Sequence, residues 1–178
     1  MPTTTTTLIA TTTLTSDAST VTFSNIPNTY AQLLIKVMIQ TTRRSDGFAD
    51  VGVRFNGNSN AVYRSQLMNQ TGGAVGASNV TSNDTNISFG LYSSLVPGDA
   101  NYLLYFGQGE MLIPNYAGTN EKPIIYKTVT VKTNTYQMRN LASSFRTNTP
   151  ITSITFVDNN SANMLTGSKF WVYGLKSS

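Results

Sequence analysis

Leu33-Leu34-Ile35-Lys36-Val37-Met38-Ile39-Gln40 is the stretch on which the fold turns. Leu33, Ile35, Val37 and Ile39 fall on one side with a period of two, and Lys36 and Gln40 fall on the other. That spacing belongs to a half-buried β-strand. The same alternation recurs outward from it. Val51, Val53 and Phe55 alternate with Gly52, Arg54 and Asn56, and Ile87, Phe89 and Leu91 with Ser88, Gly90 and Tyr92. Val129 and Val131 alternate with Thr128, Thr130 and Lys132, while Ile154 and Phe156 flank Thr155. Strands are expected over 6–15, 19–24, 31–42, 50–56, 61–68, 85–92, 101–113, 123–137, 151–157 and 168–176. Turn chemistry fills the gaps: Asn25-Ile26-Pro27-Asn28, Asp46-Gly47, Asn56-Gly57-Asn58, Pro97-Gly98-Asp99 and Asp158-Asn159-Asn160. No segment carries a helical stripe, although 138–146 has room for one helical turn. Many short strands with frequent turns predict an all-β chain: a single-domain antiparallel β-sandwich, jelly-roll-like.

Composition points the same way. Thr, Ser and Asn number 27, 18 and 18, together 63 of 178 residues. Thr is β-branched and favours strands, while Asn and Ser favour turns. Charged residues are 11%, against about 25% in ordinary domains. There is no His and no Cys, which excludes a Ser-His-Asp triad, a Cys nucleophile, a disulfide framework and any His- or Cys-ligated zinc. The net charge of +4 comes from scattered Lys and Arg, with only Arg43-Arg44 adjacent. No nucleic-acid partner is therefore expected. No apolar run reaches the roughly 18 residues of a membrane helix, and no membrane partner is expected. Met1-Pro2-Thr3 has neither a basic nor an apolar leader pattern, so no signal peptide is expected.

Two stretches are apolar on both faces. In Lys169-Phe170-Trp171-Val172-Tyr173-Gly174-Leu175, Phe170 and Val172 face one way, and Trp171, Tyr173 and Leu175 the other. Asn101-Tyr102-Leu103-Leu104-Tyr105-Phe106 reads alike. Such strands are covered twice, by the core and by a loop or a partner chain. Residues 1–15 form a charge-free, Thr-rich segment read as an extended N-terminal arm, with 16–178 as the sandwich domain. The arm is expected to join this sheet or a neighbour's, with firm contacts from about Leu8. The candidate assembly interface is therefore Thr3, Thr4, Thr5, Thr6, Thr7, Leu8 and Ile9 of the arm, together with Trp171 and Tyr173.

Catalytic chemistry finds little purchase. The carboxylates are Asp17, Asp46, Asp50, Asp84, Asp99, Asp158, Glu110 and Glu121. A glycosidase needs two across a cleft, and none forms a recognisable pair. Glu110, in a strand among Gly107, Gln108 and Gly109, reads as an exposed strand residue. Asp46 and Asp50 match no EF-hand spacing. The glycines of Thr71-Gly72-Gly73-Ala74-Val75-Gly76 precede no helix that could hold a phosphate. Sequons at Asn69, Asn79, Asn83, Asn86 and Asn159 follow from an abundance of Asn, Ser and Thr. Tyr30, Tyr63, Tyr92, Tyr116 and Tyr136 lie nearer loops or strand ends, where a sugar platform would have to be assembled. No catalytic residue, metal or cofactor is expected.

Thr22-Phe23-Ser24-Asn25-Ile26-Pro27-Asn28-Thr29-Tyr30 runs into Leu33-Leu34-Ile35-Lys36-Val37. Val53-Arg54-Phe55-Asn56-Gly57-Asn58 and Tyr63 follow, and the chain closes on Phe170-Trp171-Val172-Tyr173-Gly174-Leu175-Lys176. This order resembles small β-sandwich virion proteins of tailed bacteriophages, at both ends of the chain and more weakly across about 70–150. The resemblance implies a structural protein with no shared catalytic residues to carry over. It leaves two roles: a capsid decoration (cement) protein, or a tail or fibre module that binds a host-surface carbohydrate or receptor. One domain without a coiled-coil or glycine-repeat shaft, and with a neutral arm, favours decoration. The expected partners are the major capsid protein and further copies of the chain in a homotrimer. The expected location is the outer capsid surface of the virion, after synthesis in the host cytoplasm.

Overall fold

In the computed structural model of the chain, Gln32–Thr41 is a strand along which the two sheets meet. The structure describes residues 5–42, 48–71, 74–94, 106–132, 135–159 and 161–176. Their strands are β1 (Thr5–Thr13), β2 (Thr20–Phe23), β3 (Gln32–Thr41), β4 (Phe48–Phe55), β5 (Tyr63–Thr71) and β6 (Ala74–Asp84). They continue as β7 (Ile87–Ser94), β8 (Gly107–Pro114), β9 (Lys122–Lys132), β10 (Thr135–Phe145), β11 (Ile154–Asp158) and β12 (Lys169–Lys176). No helix occurs among the described residues.

The larger sheet runs β1-β12-β3-β8-β9-β10-β5-β6, each pair antiparallel. The smaller runs β2-β11-β4-β7, also antiparallel. The two connect where β7 pairs in parallel with Gln40 and Thr41 of β3. They pack face to face as an antiparallel sandwich, and the strand order is compatible with a jelly-roll-like arrangement.

The alternation of β3 does what its period requires. Leu33, Ile35 and Ile39 are wholly buried in the core that also holds Val53, Phe55 and Phe156 of the smaller sheet. Phe170 of β12 meets Phe156 of β11 with ring centroids 4.9 Å apart, which ties the sheets at one end. Phe55, Tyr63 and Phe145 form a second aromatic group, with Phe145 5.3 and 5.1 Å from the other two. The Tyr63 hydroxyl accepts from the Phe55 N–H at 3.0 Å and donates to the Asn58 carbonyl at 2.9 Å, so its buried polar end is satisfied.

Turn residues fix the connections. Asn56 and Gly57 take φ of 55° and 63°, the left-handed pair that Asn-Gly tolerates best. The Asn56 amide then accepts from the Thr152 and Ser153 N–H groups and donates to the Pro150 carbonyl, which holds the loop before β11. The Tyr116 hydroxyl donates to the Pro27 carbonyl and anchors the segment between β2 and β3. Tyr30 lies flat over Gly174, where a Cβ would come within 2.3 Å of the ring; only glycine leaves room.

Three expectations change. The single strand expected over 123–137 is divided between β9 and β10. Of residues 138–146, which had room for a helical turn, all but Arg146 continue β10, paired with β9 on one side and β5 on the other. Met138, Leu141 and Phe145 share a helical spacing, but two-sided pairing overrides it. Finally, β6 had no periodic signal, because an edge strand of Ala, Gly, Ser and Asn is specified by backbone pairing alone. The doubly apolar residues 101–105 lie outside the described residues, as do Thr3, Thr4, Asp46 and Asp99.

Candidate assembly surface

Pairing parity decides which side chains leave the larger sheet. Once Met111 of β8 and Tyr126 of β9 face the core, Thr128 and Thr130 must face inward too, and Ile125, Lys127 and Val129 outward. The alternation of Val129 with its threonines is real, but its sense is inverted. Thr128 and Thr130 are 1% exposed, whereas Val129 is 49% exposed. In β10 likewise Gln137 and Ser143 face in, while Tyr136 and Met138 face out.

The interior therefore turns polar toward this end. The Tyr126 hydroxyl donates to the Ser88 carbonyl, the Ser88 hydroxyl donates to Asp50, and the Ser143 hydroxyl donates to Ser65 at 2.8 Å. Burial lowers the pKa of Arg139 and raises that of Tyr126; Asp50 partly restores the arginine. On β9, Lys122 is wholly buried and gives its ammonium to the Thr147 and Thr149 carbonyls at 3.0 and 2.6 Å; burial lowers its pKa.

The exterior of the larger sheet becomes correspondingly apolar. Ile125, Met68, Val129 and Met138 are 65%, 59%, 49% and 44% exposed on neighbouring strands. Leu34, Met38, Leu112 and Trp171 continue the face, half-buried, toward β12. Two hollows indent it, of about 600 Å³ around Met68, Leu112 and Ile125 and about 330 Å³ around Met38, Val129 and Trp171. Between them runs a row of charge: Glu110 stands 3.4 Å from both Lys36 and Lys127, its register partners on the flanking strands. The outward face of the smaller sheet is different in kind, with Thr22 and Thr155 joined hydroxyl to hydroxyl at 3.1 Å beside Arg54.

The expected interface residues are partly gathered here. Trp171 and Tyr173 point outward from β12, half-buried, with Leu8 of β1 directly opposite Tyr173. Thr5, Thr6 and Thr7 are exposed in β1, and pairing with β12 starts at Thr5. Ile9 occupies a bulge and packs against the core. Sequence reading did not single out Ile125, Met138 and Met68; Met138 follows the inward polar Gln137, but Ile125 and Met68 lie beside inward apolar residues and carry no such signal. The other candidates are not assembled. Tyr63 and Tyr116 are core residues, and Tyr30 is packed on Gly174. The side chain of Tyr92 lies outside the described residues. Asp50 accepts from Ser88 and Asn159, and the amides of Asn86 and Asn159 pair with each other. No group of three metal-ligating side chains occurs among the described residues, and no described helix is long and apolar enough to cross a membrane.

No protein-family model matches the chain, and no curated protein does. Among solved structures, the subviral particle of the VP2 protein of infectious bursal disease virus aligns over 99% of this chain at 11% identity, with a TM-score of 0.16. The chain spans 42% of the length of that protein.

Proposed function

We propose that the chain is a structural virion protein of a tailed phage, a capsid decoration protein that docks on the major capsid protein and holds capsomers together. The observation that carries this reading is the outward face of the larger sheet, where Ile125, Met68, Val129 and Met138 stand exposed on adjacent strands. Scattered exposed apolar residues are ordinary on proteins, but a contiguous patch marks a surface meant to be covered. A cement protein works by many modest contacts over a repeated surface, which calls for apolar area and backbone pairing rather than a reactive group. Low charge suits it, since charge buried at an interface costs free energy unless paired, while Thr, Ser and Asn trade water for hydrogen bonds at lower cost. Further copies meet through the β1 edge, as a homotrimer on a threefold site of the shell.

The test is imaging of labelled protein added to phage particles. The label should decorate the outer shell as threefold features, and it should be lost with Trp171→Ala or Ile125→Asp while both variants keep the wild-type circular dichroism spectrum. Label confined to the tail overturns the reading in favour of a host-binding module.

A further inference from the structure

Charge on the outward face says what kind of surface covers it. Among the described residues of the larger sheet, Lys36, Lys127, Lys169 and Arg64 stand at outward register positions, and Glu110 is the one carboxylate among them. That excess is most of the chain's net charge of +4. Glu110 is shared between Lys36 and Lys127 at 3.4 Å each, and the lysine side chains remain 48% and 65% exposed. Each ammonium thus keeps donors to spare.

We infer that this face binds an acidic, apolar protein surface, one that sets an apolar side chain in each hollow and a carboxylate between them on Lys36 and Lys127. This rests on the face being the docking surface proposed above and names the chemistry of its partner. Both hollows are lined by Glu110 and Lys127, so the charged row is the ridge that separates them. A carboxylate arriving at that ridge meets two cations held by a single anion. A second copy of the chain is disfavoured, because face-to-face apposition sets like charges against each other. Nucleic acid is disfavoured, because a phosphate backbone calls for a track of cations, whereas Lys36 and Lys127 share one carboxylate and stand beside the exposed apolar Ile125 and Met68. A lipid surface is disfavoured by shape: bilayers receive protruding apolar side chains, whereas concavities of about 600 and 330 Å³ receive side chains from a partner.

The probe is anilinonaphthalene sulfonate, an apolar anion, titrated by fluorescence into the full-length protein, with neutral phenylnaphthylamine as comparator. Ile125→Asp should abolish binding of both. Lys36→Glu combined with Lys127→Glu should weaken the anion about fivefold or more and spare the neutral probe, as expected for two exposed charge contacts. Glu110→Gln should tighten the anion. In parallel, co-sedimentation with phage capsids should weaken as salt rises and be lost on charge reversal. If charge reversal moves neither the anion nor capsid binding, the inference fails while the docking reading stands. If wild-type protein does not sediment with capsids but the probes respond as stated, the virion reading fails and the acidic, apolar specificity stands. Equal binding to vesicles of phosphatidylglycerol, or a dimer in light scattering that Ile125→Asp dissolves, overturns the inference in favour of a membrane or of a second copy.

Discussion

Thr128 shows how strictly parity governs single residues. It is 1% exposed, and its hydroxyl has no hydrogen-bond partner among the described residues. A buried unpaired hydroxyl costs its full desolvation, while an apolar group of the same shape costs nothing comparable. Thr128→Val should therefore stabilise the fold by about 1 kcal/mol, seen as a higher urea midpoint with unchanged slope. A lower midpoint would mean the hydroxyl is bonded after all. The same position explains what the sequence could not reveal. Read alone, Val129 and Val131 between threonines look like the buried face of a strand. The orientation of Val129 is settled only by Tyr126 and Ile124 upstream and by register on β8. Period is local, but the sense of the period is a tertiary fact.

At the scale of elements, β1 joins this chain's own sheet, one of the two places expected for it. Thr5–Thr13 is a full edge strand on β12, and Ile9 and Ala10 pack against the core. The chain is clamped again just beyond, where Leu14 donates to the Ser168 carbonyl and Asp17 accepts from Thr166, each at 2.9 Å. Deleting residues 2–12 would strip β12 of its outer partner, leaving it paired with β3 alone, and uncover the side chains beneath Ile9. The truncated protein should still fold, lose roughly 2 kcal/mol from lost apolar cover, self-associate through the bared edge, and attach more weakly to capsids. An unchanged melting temperature with full capsid binding would show β1 to be dispensable. Strands with an apolar period, such as β3, β4 and β11, were legible because one face is dry. The β6 strand and the division between β9 and β10 were not, because pairing partners rather than side-chain pattern hold them. Trp171 and Tyr173 were legible as a second apolar face of β12. The remainder of that face lies on strands distant in sequence, and only the sheet brings it together.

The molecule as a whole has a polar outside on its small sheet, an apolar and cationic outside on its large one, and an interior that grades from aromatic to hydroxyl-rich. The buried tyrosines give that interior a pH signature. Burial raises Tyr63 from 10.0 to about 12, and raises Tyr116 and Tyr126 as well. Above pH 10 an unfolded chain gives up phenolic protons that the native state retains, so the native state binds more protons and stability falls as pH rises toward 12. Lys122 acts in the opposite sense. Burial lowers its pKa from 10.5, so below that pH the unfolded chain holds its proton more firmly and stability rises as pH increases. Beyond 10.5 that gain is complete and only the tyrosine loss continues. Urea midpoints measured across this range should climb shallowly and then drop steeply, with tyrosinate absorbance appearing in step with the drop. Lys122→Met should remove the climb, and Tyr63→Phe should soften the drop. Tyrosinate that forms while the fold stays intact, with no drop in the midpoint, would mean that these hydroxyls reach solvent in the native state.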